Sequence, residues 1–170
     1  MKNIILVGMP GSGKSTLGIL LAKMIHYGYI DSDSVIVAKT GKLLPELIAE
    51  LGNEGFLKLE AEVNSSITAK CCVIATGGSA IYRGDVIEKM KKNGIVVYLK
   101  IPYVEVEKRL GDLKKRGVVL KKGYKLRDLY EERAPLYENH ADYIVELGDD
   151  SVEDSAKAVL KTILSELSKE

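Results

Sequence analysis

Glycines, a lysine and a serine stand at a fixed spacing near the start of the chain, and together these residue types can hold phosphate. The segment from Gly8 to Ser15 reads GMPGSGKS, which fits the pattern G-x-x-x-x-G-K-[ST]. Glycines let backbone N–H groups curl around phosphate oxygens, the lysine reaches the outer phosphates and the serine hydroxyl ligates Mg²⁺. The pattern therefore predicts a P-loop that binds ATP and Mg²⁺. The residues expected to contact the nucleotide are Gly8, Gly11, Ser12, Gly13, Lys14, Ser15 and Thr16.

The sequence on either side of this loop supplies the elements that the motif needs. The apolar run Asn3–Val7 predicts a buried strand before it, and apolar residues at helical spacing predict a helix over Lys14–Ile25 after it. The positive end of that helix would face the phosphates. Kinases, ATPases, GTPases and motors all use such a loop, so the loop alone leaves the reaction open. The small size of the chain favours a metabolite or nucleotide kinase.

Strand and helix patterns alternate along the rest of the chain. Further strands are predicted at Tyr29–Asp31, Cys72–Ala75, Ile95–Leu99 and Tyr143–Leu147. Further helices are predicted at Pro45–Leu51, Glu54–Ala69, Asp85–Lys92, Val104–Lys115, Leu126–Tyr137 and Val152–Leu167. This alternation indicates an α/β fold with a parallel sheet covered on both faces, in which ligands bind at the carboxyl ends of the strands. Gly8, Asp31 and Gly78 should therefore converge on one crevice.

Composition limits the classes of function. The 170 residues suit one domain, 1–170, and the net charge of +1 gives no bulk reason to expect binding of nucleic acid or a membrane surface. No apolar stretch approaches the roughly 20 residues of a membrane span. Cys71 and Cys72 are adjacent, which favours reduced thiols and a cytoplasmic protein.

Three further motifs carry a family resemblance. They are Asp31-Ser32-Asp33 after the second strand, Thr76-Gly77-Gly78 after the third, and the segment 132–137, which reads ERAPLY. With the P-loop, in this order and spacing, the chain resembles the shikimate kinase family. The resemblance implies a three-layer α/β/α fold of the P-loop NTPase type with a five-stranded parallel sheet. It also implies a monomeric enzyme that uses ATP and Mg²⁺ to convert shikimate, a carboxylate-bearing alcohol, to shikimate 3-phosphate.

The resemblance assigns roles to individual residues. Asp31 would lie near the metal with Ser15, and Asp33 would hold the acceptor hydroxyl and accept its proton. The alternative for either aspartate is to cap the helix that begins near Ser34. Arg133 would pair with the substrate carboxylate. The alternative for Arg133 is an exposed charge on the surface of its helix. The other residues implied at the acceptor site are Gly77, Gly78 and Ser79.

A lid over about 112–124 is also implied. Arg116 would reach from it to the transferring phosphate and act in catalysis with Lys14 and Asp33. Arg109 would stack on adenine or remain a solvated helix arginine. The family commonly has R-P-L-L in the lid, whereas this chain reads RGVV from Arg116, so we expect a looser lid than usual.

Two departures fall in the acceptor site. Leu57 stands where the family usually has an arginine that clamps the shikimate carboxylate, and Ser79 stands where it usually has a third glycine. Glu60, which orients that arginine in the family, is kept. Three readings follow: weaker binding of shikimate, replacement of the clamp by Lys58, or a kinase for another small polyol, hydroxy acid or nucleoside. A non-catalytic, nucleotide-binding regulatory protein is a further alternative.

Overall fold

The structure, a computed structural model, describes residues 2–110 and 117–167. Its strands are β1 (Asn3–Val7), β2 (Gly28–Asp31), β3 (Cys72–Ala75), β4 (Gly94–Lys100) and β5 (Tyr143–Glu146). All neighbouring strands pair in parallel, in the order β2-β3-β1-β4-β5. The expected sheet of five parallel strands is confirmed. Because β2, β3 and β1 are neighbours, the three carboxyl ends that carry the sequence motifs lie side by side.

Helices cover the sheet. They are α1 (Lys14–Met24), α2 (Ser32–Thr40), α3 (Leu44–Ser66), α4 (Gly84–Lys91), α5 (Tyr103–Leu110), α6 (Leu126–His140) and α7 (Val152–Leu167). Helices α1 and α7 pack against each other, and α4 and α6 pack against β4. Strands β1 and β4 are buried almost throughout, as expected for continuous apolar runs in a sheet covered on both faces. Among the residues that the structure describes, no helix has the length and apolar character needed to cross a bilayer.

The structure corrects several predicted boundaries. Helix α2 begins at Ser32. The span α3 contains two helical segments that meet at Gly52, whose φ of 68° and ψ of 176° are non-helical, so the predicted interruption between two helices is confirmed. Helix α6 continues through Pro135 to His140, because Tyr137 beyond the proline is fully buried in the core. A 3₁₀ turn over Ala80–Tyr82 was not predicted. Of the predicted helix Val104–Lys115, the described part ends at Leu110.

A second, smaller hydrophobic cluster supports the acceptor side of the molecule. Its buried members are Ile36, Leu47, Phe56, Val63 and Val119. The cluster joins α2 and α3 to the described end of the predicted lid, since Val119 is 5% exposed. Gly117, with φ of 64°, lies so close to α3 that a Cβ there would be 2.7 Å from the Leu44 Cβ. This part of the lid segment therefore rests on α3.

Candidate active site

The P-loop between β1 and α1 has the conformation that its glycines allow. Gly8, Gly11 and Gly13 have φ values of 151°, 78° and 90°, in the region that side chains disfavour. Gly13 caps α1, and the Ser12 N–H donates to the Met9 carbonyl at 3.0 Å. The loop thus presents the amino end of α1 to the cleft, which is the arrangement that binds phosphate.

Lys14 is buried inside this loop. Its ammonium donates to the carbonyl oxygens of Gly8 at 2.8 Å and Met9 at 2.9 Å. Burial lowers the pKa of Lys14 to about 8, partly opposed by the charge of Asp33. Incoming phosphate oxygens would favour the charged form and offer the ammonium stronger acceptors than these carbonyls.

Asp31 has two roles in the described structure. Its Oδ2 accepts a hydrogen bond of 2.7 Å from the Ser15 hydroxyl, while its Oδ1 accepts from the N–H groups of Asp33 at 3.0 Å and Ser34 at 3.2 Å. Asp31, rather than Asp33, is therefore the cap of α2. The capping alternative is thus confirmed for Asp31, and it leaves Oδ2 beside Ser15.

The donor set at Ser15 and Asp31 fits Mg²⁺. One hydroxyl and one carboxylate suit an ion that keeps several waters and takes its other ligands from a nucleotide. Over residues 2–110 and 117–167, the structure has no cluster of three or more His, Cys, Asp or Glu side chains that could form a protein-only metal cage.

Asp33 faces the same cleft with an unsatisfied carboxylate. Its Oδ1 is buried and has no hydrogen-bond partner in the described part of the chain. Burial, followed by the charge of Asp31, raises the pKa of Asp33 to about 6, while Lys14 acts in the opposite direction. A carboxylate with that pKa is mostly ionised at neutral pH and can still accept a proton, as a general base requires.

The backbone after β3 passes between charged side chains. A Cβ on Gly77 would clash with Oε1 of Glu60 and would lie 2.7 Å from Oδ1 of Asp33. A Cβ on Gly78 would lie 3.1 Å from Nη1 of Arg133. Glycine at these two positions is therefore what lets the turn approach both carboxylates and the arginine.

Arg133 is a buried cation of the cleft, so the interpretation as an exposed helix charge is wrong. It is 1% exposed, its Nη2 donates to the Val119 carbonyl at 2.9 Å and its Nε donates to the Tyr82 hydroxyl at 3.1 Å. The guanidinium also stacks on the Tyr82 ring, 4.9 Å from its centroid. These contacts fix the plane of the guanidinium, and they tie the lid segment to α6.

Sequence reasoning missed two tyrosines at this site. Tyr82 lies in the unpredicted 3₁₀ turn, and the Tyr137 hydroxyl donates to the Gly78 carbonyl at 2.6 Å. Tyr137 follows Arg133 by four residues, which places both on one face of α6. That spacing was the available signal for Tyr137, whereas Tyr82 had none.

Of the two other arginines predicted at the site, the structure describes Arg109 but not Arg116. Arg109 borders the cleft beside Gly11 and donates to the Gly148 carbonyl at 3.2 Å, so it is a held side chain rather than a freely solvated one. Arg116 lies outside the described residues, and its assignment stays a prediction.

These residues surround one cleft of about 580 Å³ at the carboxyl ends of β1, β2 and β3. The sequence-predicted site residues in its lining are Gly11, Gly13, Lys14, Ser15, Thr16, Asp31, Asp33, Gly78, Ser79, Arg109 and Arg133. Gly8, Ser12 and Gly77 lie behind this surface, where they shape the loops.

Of the two departures at the acceptor site, Ser79 contacts Glu60 and Leu57 does not line the cleft. Glu60 is 1% exposed, and its Oε2 accepts a 2.7 Å hydrogen bond from the Ser79 hydroxyl. Burial raises the pKa of Glu60 to about 7, although the Ser79 hydrogen bond acts against this shift. Leu57 packs on the second hydrophobic cluster and is absent from the cleft lining. Lys58 does not replace the clamp, because it is exposed and borders a separate depression.

Comparisons with known proteins identify the family and the fold. A sequence model described as shikimate kinase matches residues 10–164. The chain is 33% identical over 167 residues to shikimate kinase of Caldanaerobacter subterraneus subsp. tengcongensis, covering 96% of this chain and 97% of that protein.

The chain belongs to the shikimate kinase family. It is therefore an ATP-dependent phosphotransferase that acts on a hydroxyl group. Solved structures of this family agree with the whole fold. Shikimate kinase from Acinetobacter baumannii in complex with shikimate superposes with a TM-score of 0.90, at 38% identity, over 98% of this chain and 94% of that one. Shikimate kinase from Aquifex aeolicus superposes with a TM-score of 0.84, at 30% identity, over 97% of this chain and 98% of that one.

Proposed function

We propose that this member of the shikimate kinase family transfers the terminal phosphate of ATP to a hydroxyl of shikimate, giving shikimate 3-phosphate and ADP. The observation that carries the proposal is the placement of Asp33, Lys14 and Arg133 around one cleft. The three side chains supply a base, a phosphate-binding cation and a carboxylate-binding cation. The related Acinetobacter baumannii enzyme, described in complex with shikimate, supports the choice of acceptor.

The nucleotide would bind on the P-loop side of the cleft. Backbone N–H groups from Gly11 to Ser15 and the amino end of α1 would hold the phosphates. Lys14 would exchange its bonds to the Gly8 and Met9 carbonyls for bonds to phosphate oxygens. Ser15 and Asp31 would hold Mg²⁺, which supplies positive charge against the phosphate oxygens when it is bound. Arg109 would border the adenine.

Asp33 would hold the acceptor hydroxyl in line with the terminal phosphate. The hydroxyl oxygen attacks phosphorus, the bond from phosphorus to the bridging oxygen of ADP breaks, and the hydroxyl proton passes to Asp33. The buried and unsatisfied Oδ1 of Asp33 is an acceptor ready for that proton. Lys14, and Arg116 from a lid over about 112–124, would stabilise the charge on the transferring group.

Arg133 would bind the carboxylate of the acceptor. Its Nε and Nη2 are engaged by Tyr82 and Val119, while Nη1 lies near Gly78 at the cleft surface. With Leu57 in place of a second arginine, the carboxylate loses one charged clamp, which would weaken binding by about ten- to a hundredfold.

A kinase for a different small alcohol is the second candidate. Leu57 and the Ser79–Glu60 hydrogen bond favour it, since both change the acceptor side of the cleft while the nucleotide side follows the family pattern. A polyol, hydroxy acid or nucleoside with less negative charge would need no second clamp.

We further propose that the chain acts as a single domain, as a monomer and in the cytoplasm. The 170 residues suit one domain. Neither Cys71 nor Cys72 forms a disulfide in the described residues, as expected in a reducing compartment.

An assay of ADP release with Mg·ATP tests the proposal against this second candidate. Shikimate would be compared with a panel of small polyols, hydroxy acids and nucleosides. Turnover with shikimate at the highest kcat/KM supports the proposal. Turnover with another alcohol and none with shikimate would overturn it in favour of the second candidate.

A further inference from the structure

A second cleft, also of about 580 Å³, lies at the opposite end of the sheet from the P-loop. Its walls come from the amino end of β1, the last turns of α3, the connection 67–70 and the end of α4. None of its lining residues borders the active-site cleft. It is therefore a separate feature, and nothing in the phosphotransfer chemistry uses it.

One buried amide in this cleft has no partner. Asn64 on α3 is 1% exposed, and neither its Nδ2 nor its Oδ1 has a hydrogen-bond partner among the described residues. Leaving both ends of a buried amide unpaired is costly, and folded proteins seldom do so. Asn3 in the same cleft shows the ordinary arrangement: its Nδ2 donates to the Ala69 carbonyl at 2.7 Å, and its Oδ1 accepts from the Cys72 N–H at 3.1 Å.

The charged side chains that line the cleft are all lysines, although Lys2 also pairs with Glu166 at 3.9 Å and Lys89 donates to the Ser65 carbonyl at 3.3 Å. Its lining contains four exposed lysines and no aspartate or glutamate among the described residues. The four are Lys2, Lys70, Lys89 and Lys92. Exposed lysines alone are ordinary solvated side chains. Here the lysines line the same cleft as the Asn64 amide, which offers one donor group and one acceptor. Together they favour a ligand that has a negative charge and a hydrogen-bond donor.

Apolar side chains complete the lining. Ile5 and Ile74 are buried in the core beneath the cleft, and Ile67 and Met90 are partly buried at its edge. A fully hydrated inorganic anion would gain nothing from these four residues, whereas a ligand with an apolar body would bury surface against them.

We propose that this cleft binds a small hydroxycarboxylate with an apolar body. The carboxylate accepts hydrogen bonds from the Asn64 NH₂ group and from the lysines, and the ligand hydroxyl donates to the Asn64 Oδ1. The apolar body lies against Ile67 and Met90. The site is independent of the proposed acceptor, because it shares no lining residue with the active cleft.

Titration of the ¹⁵N-labelled full chain, followed by NMR, tests this site. The probes are 3-phenyllactate, 3-phenylpropionate, which lacks the hydroxyl, and inorganic phosphate, which lacks the apolar body. We expect saturable shifts of the Asn64 side-chain amide, with 3-phenyllactate binding roughly tenfold more tightly than either other probe. Equal affinities for 3-phenyllactate and phosphate would overturn the proposal and indicate a general anion surface. No saturable shift by about 10 mM would also overturn it.

Two variants assign the binding to these residues. Asn64→Leu keeps the side-chain volume and removes the unpaired amide, so affinity for 3-phenyllactate should fall at least roughly tenfold without a loss of thermal stability. The Lys70→Gln/Lys92→Gln variant should weaken binding, while Lys157→Gln on α7 serves as the matched control and should not. Unchanged affinity in either site variant would contradict the proposal, and the lysine variant decides the matter if Asn64→Leu does not fold.

Discussion

The hydroxyl of Ser79 donates a 2.7 Å hydrogen bond to Oε2 of Glu60 inside the wall of the acceptor site. Leu57 stands on α3 at the position where the family usually has its second clamp arginine. Glu60 follows it by one helical turn. The other oxygen, Oε1, is buried and unpartnered among the described residues. Ser79 thus supplies a hydrogen bond to the carboxylate that, in the family, orients the clamp arginine, and we expect the two departures from the family pattern to be coupled.

Leu57→Arg should strengthen binding of shikimate. A guanidinium at this position would be next to Glu60 and would offer a second charged donor to the substrate carboxylate. We expect KM for shikimate to fall about ten- to a hundredfold while KM for ATP stays the same. Steady-state kinetics with each substrate varied in turn give both values.

Leu57→Met is the matched control, because it keeps an apolar side chain against the second hydrophobic cluster. An equal change of KM in both variants would contradict a role for the added charge. An unchanged KM in Leu57→Arg would mean that the acceptor lies elsewhere in the cleft.

Ser79→Gly should have different consequences for stability in the parent protein and in the Leu57→Arg background. In the parent protein it removes the only hydrogen bond described for Glu60, so thermal stability should fall. In the Leu57→Arg background the arginine can engage Glu60, so the same substitution should be nearly neutral. A thermodynamic cycle of the four proteins measures this coupling, and purely additive effects would contradict the link between the two positions.

Asp33→Asn should remove phosphate transfer and leave ATP binding nearly intact. The amide keeps the shape of the side chain but cannot accept the hydroxyl proton, so kcat should fall by about 10²–10⁴. Calorimetric titration with Mg·ATP provides the binding control. Turnover close to that of the parent protein would contradict the assignment of Asp33 as the base.

Activity of the parent protein should also fall as the pH drops through about 6, because Asp33 then becomes protonated. A profile of kcat/KM against pH measures this limb, provided that the same buffers leave the protein folded. A rate that stays level well below this pH would contradict a catalytic carboxylate with a raised pKa.

Glu60 should make the folded state less stable as the pH rises. Its pKa is 4.5 in the unfolded reference and about 7 in the fold, so the folded state binds more protons between these values. The free energy of unfolding must therefore fall as pH rises through that window. Glu60→Gln removes this contribution, and its stability relative to the parent should be roughly 1–3 kcal/mol more favourable at about pH 8 than at about pH 5.

Urea unfolding at the two pH values measures this difference. Glu62→Gln, an exposed glutamate on the same helix, is the matched control and should show the same stability difference from the parent at both pH values. A difference for Glu60→Gln that does not change with pH would contradict the raised pKa.

Asp31→Asn should separate the capping role of this residue from its role at Ser15. Asparagine is about as good a helix cap as aspartate, so stability should change by less than about 1 kcal/mol. The Mg²⁺ concentration needed for half-maximal activity should rise, because the carboxylate beside Ser15 is gone. Asp31→Ala is the comparison, since it loses both roles. An unchanged Mg²⁺ requirement in Asp31→Asn would contradict the metal assignment.

Most of the fold could be predicted because local patterns determine it. The run Asn3–Val7 is apolar throughout, as a central parallel strand requires, and the P-loop motif specifies both its own glycine conformations and the helix after it. The convergence of Gly8, Asp31 and Gly78 then follows from the parallel fold, whereas the strand order β2-β3-β1-β4-β5 was not predicted. The interruption at Gly52 was also predicted, since the two helical patterns stop on either side of it.

Contacts between distant residues could not be predicted. The Ser79–Glu60 hydrogen bond and the stacking of Arg133 on Tyr82 join residues far apart in the sequence. The burial of Arg133 depends on the lid residue Val119 as well as on α6. Such contacts depend on tertiary packing, and the pattern of charges along one helix does not predict them.

Phosphorus NMR of a reaction containing the protein, Mg·ATP and shikimate tests the central claim most directly. The account predicts that the terminal phosphate signal of ATP disappears while ADP and a phosphate ester coupled to a ring proton of shikimate form in equal amounts. Free phosphate in place of the ester, or no change in ATP at an enzyme concentration that binds nucleotide, would contradict it.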